Sequence, residues 1–119
     1  ITAVINSKQD ANELRKRLVA YLSRLRHRGP DWSGIAVQQG KQLYILAHER
    51  LAIVDVETGA QPLKNEAGNI ALTVNGEIYN HEQLEATALK EKHAFATKSD
   101  CEVIVHLYEE IGDDVVDKL

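Results

Sequence analysis

Cysteine is nearly missing from this chain of 119 residues, which holds only Cys101. A lone thiol excludes an internal disulfide and fits a reducing compartment, so a cytoplasmic location is expected. Long apolar runs are missing too. None approaches the ~20 residues of a bilayer-spanning helix, and no charged leader precedes an apolar segment at the start. Charge of one sign is not in large excess. A net charge of −4 and a pI of about 5.7 make nucleic acid and membrane unexpected partners. Repeats, low-complexity tracts and linkers are absent, so no boundary is expected inside residues 1–119. The five histidines, at 27, 48, 81, 93 and 106, never pair at i+3 or i+4, and no metal site is expected from spacing.

What is present suits one soluble domain and not two: 44% hydrophobic and 27% charged residues over 119 positions. Both ends read as cut. Ile1-Thr2-Ala3-Val4-Ile5 is strand-like from the first residue, and Val115-Val116-Asp117-Lys118-Leu119 reads as part of an unfinished helix. The expectation is a fragment of something longer.

Asp10-Ala11-Asn12-Glu13 has capping-box spacing, with Glu13 expected to reach back. Leu14, Leu18, Tyr21, Leu22 and Leu25 then form one helical stripe, stopped by Gly29-Pro30. The basic cluster from Arg24 to Arg28 reads as a solvated helix end rather than a phosphate site, because no glycine cradle accompanies it. Ile35-Ala36-Val37-Gln38 and Leu43-Tyr44-Ile45-Leu46-Ala47-His48 read as strands around a Gln39-Gly40-Lys41 turn. The second runs on into Glu49-Arg50-Leu51-Ala52-Ile53-Val54-Asp55. Residues Val56 to Leu63 read as a loop, and Asn65-Glu66-Ala67-Gly68-Asn69 as a turn. Ile70-Ala71-Leu72-Thr73-Val74 is a buried strand. His81 to Leu89 is a helix with Asn80 as cap, and Ala94-Phe95-Ala96-Thr97 a short strand. Ser99-Asp100-Cys101-Glu102 opens a last helix with a second capping box. Its buried face is Val103, Ile104, Leu107, Tyr108 and Ile111, and Gly112 ends it. The order suggests an α+β layered domain.

Polar groups gather where strands end. Asn75-Gly76 admits two readings: a type I′ hairpin turn, or a site hung on a strand end. The arm Glu77-Ile78-Tyr79 is short for a hairpin, which favours the site. Glu49 and Arg50 interrupt an apolar run. They either face water as an edge pair, or Arg50 is a fork for a carboxylate ligand. Asp100 either complements a helix dipole or holds an ammonium group. Arg50 for a carboxylate and Asp100 or Glu77 for an ammonium would together recognise the α-groups of an amino acid. The Asn75 side chain and the Gly76 N–H would be two donors converging on an oxyanion.

Five stretches appear in order: His27-Arg28-Gly29-Pro30-Asp31-Trp32-Ser33-Gly34, His48-Glu49-Arg50-Leu51-Ala52-Ile53-Val54, Gly59-Ala60-Gln61-Pro62, Val74-Asn75-Gly76-Glu77-Ile78-Tyr79-Asn80-His81 and Ser99-Asp100-Cys101-Glu102. Together they resemble the N-terminal glutaminase domain of glutamine-hydrolysing asparagine synthetase, a class II, N-terminal-nucleophile amidotransferase. The resemblance covers essentially the whole chain. It implies a four-layer αββα fold and hydrolysis of glutamine to glutamate and ammonia by an N-terminal cysteine. Carried over, Asn75 and Gly76 match the oxyanion hole, Arg50 the α-carboxylate ligand, and Glu77 and Asp100 the surroundings of the α-amino group. Arg28 lies near the nucleophile in that family. The partners implied are glutamine and the family's own C-terminal synthetase domain, absent here, with a homodimer left open. No cofactor is implied for this domain; ATP and Mg belong to the synthetase domain, and no Ser-Gly-Gly-x-Asp-Ser loop occurs here.

The family begins Cys-Gly-Ile, and the resemblance sets Ile1 of this chain at that Ile. The nucleophile would then lie two residues before Ile1, and the chain alone is expected to release no ammonia. Cys101 sits at a helix start without a free α-amino group and is not expected to replace it. The rival readings are a non-catalytic glutamine-binding or regulatory module of the same fold, and a structural α+β domain without a ligand.

Overall fold

A computed structural model of the chain describes residues 1–119 except Val54 and Val56, and their side chains except that of Ala88. It has helices and antiparallel sheets, an α+β arrangement. The first sheet has the order β1 (Thr2–Ser7), β3 (Leu43–Arg50), β2 (Trp32–Gln39). β2 and β3 form a hairpin whose register runs from Gln39↔Leu43 to Trp32↔Arg50, so the turn is Gly40-Lys41-Gln42, one residue later than expected, because Gln39 still pairs in the ladder. β1 adds on the other side of β3, with Thr2 opposite Ala47. β3 is therefore central, and Ile45 and Ala47 are fully buried.

Helix α1 (Ala11–Ser23) covers this sheet. Leu14 and Leu18 pack on Leu43 and Ile45. The Asp10 carboxylate accepts the N–H groups of Asn12 and Glu13, each at 3.0 Å. Glu13 does not reach back; it pairs with Lys16 at 3.2 Å. The cap is worth about 1 kcal/mol. Burying each of Leu14, Leu18 and Leu22 is worth about 2 kcal/mol, so packing and not the cap holds the helix. Tyr21, expected in the stripe, is 46% exposed. The helix stops at Ser23, ahead of Gly29-Pro30, and a 3₁₀ turn fills Arg26–Arg28.

The second half is built on β4 (Leu63–Lys64) and β5 (Ala71–Leu72), an antiparallel pair. Asn65 closes their turn by accepting the N–H groups of Asn69 and Ile70 at 3.1 and 3.0 Å. A helical stretch follows: α2 (His81–Leu84), a π turn at Glu85–Leu89 and α3 (Lys90–Lys92), kinked at Thr87. Asn80 does not cap it. Its side chain donates instead to the Lys118 carbonyl at 2.8 Å.

Ala94 to Thr97 is not a strand. The buried Glu102 carboxylate takes the Ala96 and Thr97 N–H groups at 2.7 and 2.8 Å, so no sheet partner is needed. For the same reason Glu102 does not complete a capping box with Ser99.

Helix α4 (Glu102–Ile111) ends at Gly112, whose φ is +62°. It is packed from two sides. Val105 and Cys101 meet Leu63, and Val103 and Leu107 meet Leu89 and Val115. The buried arc is thus Glu102, Val103, Val105, His106 and Leu107, while Tyr108 and Ile111 are exposed, unlike the sequence expectation. The expected strand continuation leaves the sheet after Arg50. Its Val54, and Val56 in the following loop, lie outside the described residues.

Candidate functional site

Arg50 is the last residue of β3. It and Glu49 are only 6% and 8% exposed, which removes the water-facing alternative. Glu49 accepts the Ser33 hydroxyl at 2.7 Å and lies 3.8 Å from the Arg26 guanidinium. Arg50 is held from below: its Nη2 donates to the Asp55 carbonyl at 2.7 Å. The loop that supplies this carbonyl is itself tied. The Asp55 carboxylate accepts the N–H groups of Thr58 and Lys98 at 3.0 and 2.8 Å. Desolvation pushes its pKa up, but hydrogen bonds from Thr58 and Lys98 outweigh it and hold the carboxyl below the usual range. Gly59 lies against the guanidinium; a Cβ there would stand 2.6 Å from Arg50 Nη2.

β5 is shorter than the expected strand at Ile70 to Val74; beyond Leu72 the chain runs without regular structure to Asn75 and bends at Gly76. Neither has a positive φ, so this is not a type I′ turn. Asn75, Gly76 and Glu77 are exposed to solvent. A Cβ at Gly76 would meet nothing within 4 Å, so open space faces this backbone. Among the described residues, neither the Asn75 side-chain amide nor the Gly76 N–H donates to a protein acceptor. The next turn is fixed by Asp100, which is buried at the start of α4 and accepts the Ile78 N–H at 2.7 Å.

Arg50, Asn75, Gly76, Glu77 and Asp100 all line one pocket of about 160 Å³. That is the room of about five water molecules, a scale suited to a single amino acid. A guanidinium stands on the β3 side and carboxylates on the α4 and loop side. Donors without partners lie on the loop between them. Arg28 is exposed and does not line this pocket. Cys101 does, but as a thiol it is inert. Burial first, then the Asp100 carboxylate, push its pKa up to about 12, and it donates to the Gly76 carbonyl at 3.6 Å.

Two lining residues were not singled out from sequence. His48 contacts the Thr73 hydroxyl at 2.8 Å, and the Gln61 side-chain carbonyl accepts the Val74 N–H at 2.8 Å. Gln61 thus straightens the strand end that presents Asn75. Both fall inside the quoted stretches, which was the signal available. Burial lowers the His48 pKa, with Arg50 adding to it and Glu49 opposing. Thr2 pairs with Ala47, so the start of β1 lies beside His48.

The family model for a glutamine amidotransferase domain matches residues 1–119. A probable asparagine synthetase (glutamine-hydrolyzing) of Dictyostelium discoideum is 58% identical over the whole chain, which covers 21% of that protein. Asparagine synthetase (glutamine-hydrolyzing) 2 of Oryza sativa subsp. japonica is 53% identical, with 19% of its length covered. The corresponding enzyme 1 of Arabidopsis thaliana is 53% identical, with 20% covered. The chain spans about a fifth of the length of these relatives.

Proposed function

The chain belongs to the glutamine amidotransferase domain family, and we propose that it is the glutaminase part of an asparagine synthetase, binding glutamine in the pocket at Arg50 and Asp100. The observation that carries this is the convergence of Arg50, Asn75, Gly76, Glu77 and Asp100 on one amino-acid-sized cavity. Arg50 takes the substrate α-carboxylate through its fork. Asp100, with one oxygen on the Ile78 N–H, offers the other to the α-ammonium, with Glu77 beside it. The side-chain amide then points to the Asn75–Gly76 backbone.

The reaction needs a thiolate that attacks the amide carbon. The charge that develops on the amide oxygen goes to Asn75 Nδ2 and the Gly76 N–H. Ammonia leaves with a proton from the nucleophile's own amine, and water then releases glutamate from the thioester. The β1–β3 register, carried past Ile1, sets the second upstream residue opposite Arg50. A cysteine there would face the pocket. A four-layer αββα fold is part of this reading, and the packing of α1 on the first sheet and of α4 on the second supports it. Amidation of aspartate, with its ATP and Mg²⁺, is assigned to the parent protein outside these residues, in a cytoplasmic enzyme.

Asn75→Ala in the parent enzyme tests this. Glutamine-dependent kcat is expected to fall by about 10²-fold with little change in KM, because the donor acts on the transition state. Ammonia-dependent synthesis should be unchanged. An unchanged glutaminase kcat would remove the oxyanion role.

A further inference from the structure

A second constellation shares no residue with the glutamine pocket. Glu66, from the β4–β5 turn, faces two imidazoles at once. Its Oε1 is 3.4 Å from His93 Nδ1, and its Oε2 is 3.6 Å from His106 Nδ1. The two rings stack with centroids 4.6 Å apart, so their Nδ1 atoms share one side. Glu109 completes the group. One ligand atom from each of Glu66, His93, His106 and Glu109 can be chosen so that all four lie within 4.8 Å of one another.

The histidines are buried and unsatisfied. The His93 side chain is 8% exposed and that of His106 1%. Three of their ring nitrogens, His93 Nε2 and both of His106, have no hydrogen-bond partner among the described residues. A buried polar atom without a partner is costly, and native proteins leave few of them. The carboxylate side of the group is open, because Glu66 and Glu109 are exposed. That gives an entry path and leaves the imidazoles as a fixed inner wall.

We propose that Glu66, His93, His106 and Glu109 form a four-coordinate site for a divalent transition ion, with Zn²⁺ the best match. Two donors about 2.0–2.1 Å from a tetrahedral zinc stand about 3.4 Å apart. Glu66 Oε1 is at that spacing from His93 Nδ1, its Oε2 is 3.6 Å from His106 Nδ1, and one atom from each of the four side chains falls within 4.8 Å of the others, so closing on the ion takes about 1 Å of adjustment. Two imidazoles with two carboxylates select zinc and its neighbours over Mg²⁺ or Ca²⁺, which prefer all-oxygen sets.

The surroundings fit as well. A histidine that ligates through one nitrogen usually turns the other toward a carboxylate. His93 Nε2 lies 3.4 Å from Glu110 Oε1, and His106 Nε2 lies 3.5 Å from Glu102 Oε1. The outward carboxylates are also oriented: Ala94 N–H donates to Glu66 at 2.7 Å, and Asn65 Nδ2 donates to Glu109 at 3.0 Å. With four protein ligands the site is of the closed, structural kind. It ties the β4–β5 turn and the segment at His93 to α4, whose first turn adjoins Asp100. Linear spacing held no sign of it, since the ligands come from three separate stretches.

The test titrates ZnCl₂ and CoCl₂ into the metal-stripped parent protein. One equivalent per chain is expected, and Co²⁺ should give the strong visible absorption of a four-coordinate site without a thiolate charge-transfer band. Glu66→Gln, Glu109→Gln and His93→Gln should each weaken binding by roughly tenfold or more, while Glu66→Gln and Glu109→Gln, at exposed positions, keep glutaminase activity. Zn²⁺ should raise the Tm of the unsubstituted protein and not that of Glu66→Gln. Absence of stoichiometric binding of either ion overturns the proposal. So does binding that these three substitutions leave unchanged, or a Co²⁺ spectrum carrying thiolate charge transfer.

Discussion

Arg50 shows how much a single position depends on its neighbours. A buried guanidinium is tolerable only when its donors find acceptors; the Asp55 carbonyl is one, and Gly59 leaves the room in which the fork sits. Gly59→Ala puts a methyl 2.6 Å from Nη2, so the fork must move. We expect KM for glutamine to rise severalfold or more with a smaller change in ammonia-dependent activity, measured by steady-state kinetics. His48 offers a second check. Burial lowers its pKa below the ordinary 6.5, so the folded state resists a proton that the unfolded chain accepts. Its contribution to stability is therefore present above about pH 6.5 and lost as the pH falls through the lowered folded value. An NMR titration of the His48 ring should show a midpoint below 6.5; a midpoint above it would reverse the sign. The motif stretches contained Arg50, Asn75, Gly76, Glu77 and Asp100, and all five line one pocket. They contained Gly59 and Gln61 too but not what these support, because a close backbone approach and a hydrogen bond to a distant segment leave no trace in spacing.

At the scale of elements, periodicity did well where packing follows it. The leucine stripe of α1 and the β2–β3 hairpin stand where their patterns put them. Local polar chemistry was less legible. Each of the two capping boxes lost its acidic arm: Glu13 to Lys16, and Glu102 to the N–H groups of Ala96 and Thr97. Tertiary hydrogen bonding also turned the expected strand at Ala94 to Thr97 into an irregular segment. Glu102 is 1% exposed and holds that segment against α4. Glu102→Gln replaces one accepting oxygen with a donor facing buried N–H groups. The expected cost is about 1–3 kcal/mol in denaturant unfolding, and a change within 0.5 kcal/mol would contradict the bracing role.

Across the molecule, the pocket joins two halves. Arg50 comes from the sheet under α1, while Asn75, Gly76, Glu77 and Asp100 come from the unit around α4. On the proposed reading, recognition of both ends of an amino acid depends on the two units being held together, which no single stretch of sequence displays. Asn75–Gly76 makes the same point: an Asn-Gly pair reads locally as a hairpin turn, and the Gln61 and Asp100 side chains instead hold the backbone on either side of it. The central claim is that this pocket grips the α-carboxylate of glutamine through Arg50. The most direct measurement is glutamine-dependent against ammonia-dependent synthesis in the parent enzyme carrying Arg50→Ala. The account predicts a KM for glutamine raised by roughly tenfold or more, with ammonia-dependent synthesis intact. Equal loss of both activities, or an unchanged KM, would contradict it.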